Sequence, residues 1–325
     1  MGAWNRARVF FFLVITNCLV AVTLLGLVAV VGFIAPKASV KIKTLLMIVG
    51  AAFSVGMLGS LISLIFSRSS IIKALKVRVL NPGDSSLSPS EKRIVRRVHG
   101  MAQCMGLPPR VAKSILVGIY ESDAPNAFAT GLYPSRSLVS VSSSLLKELD
   151  ETEQDGVVGH EIGHIVNGDV PVMGVLRGAL RTFSVVAARL ASVFLVFFFL
   201  RRARRLSESS WNLASWALTA FFERTFLILS LLLTAWFSRR RERNADFAGA
   251  SVVGSKPLIE AFLALKKITK KARPSEEHAL LMSGMVPSLG KVSGWFAMHF
   301  SLDQRIAQLK KWNLKPSKCF LNLPS

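Results

Sequence analysis

The chain has 325 residues, enough for one large domain or two small ones. Hydrophobic residues make up 51% and the mean hydropathy is +0.44, while only 18% are charged and the formal net charge is +22. These values stand against an ordinary soluble protein. Such a basic chain binds either nucleic acid or anionic lipid, and its long apolar runs favour lipid. The three cysteines, Cys18, Cys104 and Cys319, are far apart and form no CxxC pair. A cysteine zinc site is therefore not indicated. The odd, dispersed set argues against a disulfide framework and fits a reducing compartment.

The first apolar run spans about Val9 to Ile34, after Arg6 and Arg8. It exceeds the roughly 7–15 residues of a signal-peptide core and supplies the ~20 that a spanning helix needs. A second run, about Thr44 to Phe66, contains Gly50, Gly56 and Gly59. Ser88 and Glu91 form a capping-box pattern, and Ile94, Val98, Met101 and Met105 follow at helical spacing. They predict a helix over about 89–105, with Lys92, Arg93, Arg96 and Arg97 as a solvated or lipid-facing side. Ile115, Val117 and Ile119 alternate with small or polar residues and predict a strand, as does Leu138–Ser142. Asp150 and Glu153 repeat the capping pattern and open a helix through about Val166.

A third apolar run spans about Thr182 to Leu200, a basic loop Arg201–Arg205 follows, and a fourth run spans about Trp211 to Phe237. The tail reads as helical, with Ser301 and Gln304 capping a helix through Lys311. The resulting organisation is an N-terminal transmembrane hairpin (1–66), a first soluble part (67–178), a second hydrophobic hairpin (179–237) and a second soluble part (238–325).

His160-Glu161-Ile162-Gly163-His164 is an H-E-x-x-H sequence on a predicted helix. Residues four apart share a helix face, so two imidazoles there can hold one Zn²⁺. Glu161 projects beside them, where it can accept a proton from water. The alternative is a structural pair of core histidines. A catalytic zinc takes a third protein ligand. Spacing alone leaves His99, His278, His299 and the later acids open. Glu242 with Asp246 is attractive because four residues separate them: one can bind metal while the other orients an imidazole. Against this, Glu242 can instead pair with Arg239 or Arg243.

His160–Asp169 (HEIGHIVNGD), Asn126–Gly131 (NAFATG), Ser238–Asp246 (SRRRERNAD) and His299–Leu309 (HFSLDQRIAQL) resemble the HtpX family of bacterial membrane metalloproteases, relatives of the CAAX prenyl proteases. The resemblance implies an α+β fold, mainly helical with a small sheet. It also implies a zincin-like protease domain embedded by two hydrophobic hairpins. It assigns the third ligand to Glu242 and the supporting acid to Asp246. It places Asn126, Ala127, Phe128 and Ala129 on a cleft-edge strand that pairs with extended substrate. His299 and Arg305 match a tail pair that steadies the oxyanion or the local fold. Two positions depart from the family pattern: Phe300 stands where proline is usual, and Arg243 where an aromatic is common.

The expected activity is zinc-dependent hydrolysis of internal peptide bonds in misfolded or damaged membrane proteins. The expected setting is the bacterial inner membrane, multi-pass, with the site facing the cytoplasm. Arg68, Lys73, Lys76, Arg78 and Arg239–Arg243 favour that orientation; Lys37, Lys41, Lys43 and the Arg201–Arg205 loop oppose it. The expected partners are polypeptide substrates and the bilayer. No nucleic-acid module appears. The competing reading is a non-catalytic scaffold or chaperone with a degenerate metal site, against which an intact Glu161 argues.

Overall fold

The structure, a computed structural model, describes residues 65–169, 208–271 and 302–324, with isolated positions 11, 14, 18 and 62. The third apolar run, nearly all of the first and second, the Arg201–Arg205 loop and Ser301 lie outside the described residues. Two compact units divide the chain: one comprises Met1–Arg6, Leu64–Met173 and Ala235–Ser325, the other Ala7–Ser63 and Gly174–Thr234.

In the first unit, β1 (Arg78–Leu80) precedes helix α1 (Pro89–Cys104). The Ser88 hydroxyl accepts from the Glu91 N–H, and the Glu91 carboxylate accepts from the Ser88 N–H, so two orphan donors are satisfied reciprocally. Pro89 sits where a missing N–H costs nothing. The short α2 (Pro109–Lys113), β2 (Leu116–Tyr120), β3 (Ala127–Gly131), β4 (Ser137–Ser142) and α3 (Ser143–Glu148) follow. The sheet order is β1-β2-β4-β3, with β2 parallel to β4 and both outer pairings antiparallel. Among the described residues, this mixed order leaves β3 at an edge.

Helix α4 (Glu151–Asn167) opens on a second capping box, Asp150 with Glu153. It packs against α1, the β3–β4 side of the sheet, and α6 (Ser255–Lys271). Helix α5 (Glu208–Val253) contains the fourth apolar run. Helix α7 (Leu302–Trp312) packs on α6, and α8 (Lys318–Leu321) returns to α1. The observed class is mostly helical with a small mixed sheet. Among the described residues, no helix is long and apolar enough to cross a membrane.

Two expectations need correction. Arg93 is not solvated: it is buried, with Nη2 2.8 Å from Asp155 and Nε 3.0 Å from Glu151. Arg97 Nε lies 3.4 Å from the same Asp155. The cause is that α1 packs on the acidic first turns of α4, so its basic face meets carboxylates. Second, Cys104 and Cys319 form a disulfide. Sequence separation hid the pair, because the tail folds back on α1: Phe320 lies under the Arg97 guanidinium at 5.0 Å, and Leu323 packs on Gly100. The Leu314 and Ser317 N–H groups donate to Ser255 Oγ and the Val252 carbonyl, both at 2.9 Å, tying the same tail to the α5–α6 junction.

Candidate metal centre

The site begins with a close helix crossing. On α4, Gly156, Gly159 and Gly163 face Pro257, Gly249 and Ala245. A Cβ on Gly163 would stand 2.7 Å from the Ala245 carbonyl oxygen, and one on Gly156 2.5 Å from that of Pro257. Only a bare backbone permits this approach. The approach brings Glu242, one turn before Ala245 on α5, onto the histidine pair.

His160 Nε2 and His164 Nε2 each lie 3.4 Å from a different oxygen of Glu242. One donor atom from each of the three residues falls within 4.8 Å of the others. The opposite ring nitrogens are tied back: His160 Nδ1 is 2.9 Å from Asp246 and His164 Nδ1 is 3.0 Å from Asp169. Carboxylates on both Nδ1 atoms hold the rings with Nε2 facing inward.

Arg305 closes the cluster from α7. Its Nε and Nη2 donate to Asp246 at 2.8 and 2.6 Å, and Nη1 lies 3.2 Å from Glu242. The guanidinium also stacks 4.1 Å above the Phe262 ring. Arg241 Nε stands 3.0 Å from the far oxygen of Asp169.

Glu161, Asp169, Arg241, Glu242, Asp246 and Arg305 are all under 9% exposed. Four buried carboxylates thus face two buried guanidiniums. That leaves an excess of two negative charges, which a divalent cation balances. The donor set (two imidazoles and a carboxylate) suits zinc, so the residues present fit the metal.

The titrations show the same surplus. Burial opposes a charged His164 ring, but Asp169 and Glu242 outweigh it and push the ring up to about 10. Burial and Arg305 also oppose charge on His160, and Asp246 with Glu242 still raises it. Burial works against the Asp246 carboxylate, yet His160 and Arg305 hold it below the ordinary value. The Tyr120 phenol is raised by burial, with Asn126 working against the shift and the Glu161 charge adding to it.

The sequence-based site residues distribute as follows. His160, Glu161, His164, Glu242, Asp246 and Arg305 converge. Asn126 precedes the edge strand β3, which carries Ala127, Phe128 and Ala129 and runs beside α4; the Phe128 ring lies 5.5 Å from Tyr120. His278 and His299 lie outside the described residues. His99 is satisfied by the Ile115 carbonyl at 3.0 Å.

Asp169 closes the HEIGHIVNGD motif, and the sequence alone does not mark it as a partner of His164. The available signal was Gly168, whose left-handed conformation (φ 70°) ends α4 and swings the next residue back over the last turn.

Residues 88–313 match the family model described as Peptidase family M48. The chain belongs to peptidase family M48, among its HtpX proteases. A "Protease HtpX homolog" of Bacillus velezensis is 35% identical over 308 residues, covering 93% of this chain and 98% of the relative. That of Bacillus subtilis is 37% identical over 259 residues, covering 79% and 82%. A "Protease HtpX" of Thioalkalivibrio sulfidiphilus is 34% identical over 267 residues, covering 82% and 84%. The crystal structure of S. mikatae Ste24p aligns with a TM-score of 0.49 and 16% identity, covering 85% of this chain and 60% of that one. As a member of M48, the chain is a metalloprotease.

Proposed function

We propose that the chain is a membrane-associated zinc endopeptidase, with the metal held by His160, His164 and Glu242. The observation carrying this is the pair of Nε2 atoms facing one carboxylate at 3.4 Å, each ring braced at Nδ1 by an acid. A zinc ion bound there supplies Lewis acidity to the scissile carbonyl and acidifies water.

The remaining chemistry belongs to side chains. Glu161 takes the proton of the attacking water on its carboxylate and returns it to the leaving amine. Asp246 and Asp169 fix the imidazole tautomers that keep Nε2 free of a proton. Arg305 neutralises Asp246 and Glu242. Its Nη2 also lies 3.1 Å from His160 Nδ1, so it positions the imidazole directly as well as through the acids; the family resemblance pairs it with His299 in steadying the oxyanion or the local fold.

Extended substrate adds to the free edge of β3 over Ala127, Phe128 and Ala129, with Asn126 at the strand's entry. Strand addition recognises backbone before side chains, which suits unfolded or damaged polypeptides. Membrane placement rests on the apolar runs and the HtpX resemblance, with the site on the cytoplasmic side of the inner membrane. Among the described residues, no contact in the site favours a non-catalytic scaffold.

The test is zinc content and casein hydrolysis in detergent for the wild type and Glu161→Gln. The expected result is about one zinc per chain in both, with hydrolysis reduced on the order of 10²–10⁴-fold in the variant. Equal hydrolysis by the two overturns the mechanism.

A further inference from the structure

A second cluster lies apart from the metal centre. Arg240, Arg243, Asn244 and Phe247 share one exposed face of α5, spaced as i, i+3, i+4 and i+7. With Asn167 at the end of α4 and Trp312 at the end of α7, they line a cleft of about 650 Å³. The Phe247 and Trp312 rings meet edge to face at 5.3 Å and form its apolar wall. Arg241, between the two cleft arginines, turns inward to Asp169. Among the described residues, neither Arg240 nor Arg243 has an ion-pair partner. Two guanidiniums one turn apart beside an aromatic wall suit an anion that carries an apolar body.

The preceding sequence says which anion. Helix α5 carries the apolar run that ends at Phe237. At helical rise, Arg240 follows that end by about 4.5 Å and Arg243 by about 9 Å. Beyond the hydrocarbon of a bilayer come its phosphates, and basic and aromatic side chains concentrate there.

We propose that this cleft binds the headgroup of an anionic phospholipid, with Arg240 and Arg243 on the phosphate and Phe247 and Trp312 against the glycerol backbone. The proposal rests on the membrane association argued above. The site lies outside the metal centre, so it adds a ligand without altering the hydrolytic residues.

The full chain in a non-ionic detergent is titrated with dihexanoyl phosphatidylglycerol, dihexanoyl phosphatidylcholine and inorganic phosphate. Binding is followed by the tryptophan fluorescence that Trp312→Phe removes. Saturable binding of phosphatidylglycerol, at least tenfold tighter than phosphatidylcholine, is expected. Arg240→Gln with Arg243→Gln should weaken it tenfold or more, since each basic residue near an anionic surface contributes separately. Arg240→Lys with Arg243→Lys should keep most of it. Zinc content and casein hydrolysis of these variants report that the chain is folded.

Equal affinity for the two lipids, an unresponsive glutamine variant, or inorganic phosphate binding as tightly as phosphatidylglycerol overturns the proposal. Release of the chain from membranes by alkaline carbonate is a separate result: it defeats the membrane reading whatever the titration gives.

Discussion

Arg305 grips Asp246 through two nitrogens, Nε at 2.8 Å and Nη2 at 2.6 Å, although 59 residues separate them in the chain. The same carboxylate receives His160 Nδ1, so a residue on α7 sets the orientation of an imidazole on α4. Removing either partner leaves the other charged and buried, which typically costs about 3–5 kcal/mol.

Asp246→Asn is therefore expected to weaken zinc binding by about 10–100-fold. Arg305→Gln should lower the thermal midpoint as well as zinc retention, because it uncovers two carboxylates. Chelator competition and thermal unfolding of the full chain measure the two effects.

Gly163→Ala should damage the site without touching a ligand. Its Cβ would meet the Ala245 carbonyl oxygen at 2.7 Å, and backbone cannot swing aside. Helices α4 and α5 must separate, costing about 1–3 kcal/mol and drawing Glu242 from the histidines. Gly159→Ala is the control. Its nearest contacts are Val253 methyls at 3.4 and 3.5 Å, so the chain should keep its zinc affinity.

Acid should strip the metal. His164 is raised to about 10 in the metal-free protein, so its ring is charged at neutral pH. A charged ring whose folded value lies above its ordinary one contributes stability that is complete below about 6.5 and lost as pH rises through about 10. Zinc demands the neutral ring. Binding must therefore release protons throughout the range below about 10, and affinity must fall with pH. Calorimetry of zinc addition in buffers of different ionisation enthalpy counts those protons. Zero release would contradict the ligand assignment.

Cys319→Ser should lower the thermal midpoint of the full chain, and reductant should lower the wild type to the same value. The cross-link spans 215 residues of sequence, and a loop of that size stabilises by up to about 5 kcal/mol in the chain-entropy account. Hydrolysis at moderate temperature should be unchanged, since neither cysteine touches the metal centre.

What the sequence revealed was local. Ser88 with Glu91 and Asp150 with Glu153 announce their helices because a cap is completed within four residues. His160 and His164 declare a shared face for the same reason. What stayed hidden needs a partner from a distant segment. Arg93 looked solvated because Asp155 is 62 residues away. The disulfide looked improbable because nothing near Cys319 points to α1. Three-residue β1 is too short to show alternation, and β3 was placed only by family resemblance. The glycine–alanine contact that sets the α4–α5 distance is invisible until both helices are in place.

The metal centre draws on three helices that are far apart in the order of synthesis. From His164 to Arg305 a ribosome adds 141 residues, which takes roughly 7–28 s at about 5–20 residues per second. Throughout that interval the nascent chain carries two imidazoles without the arginine that steadies their acids. Cutting power thus arrives late in translation, so the chain is unarmed for as long as it is itself unfolded.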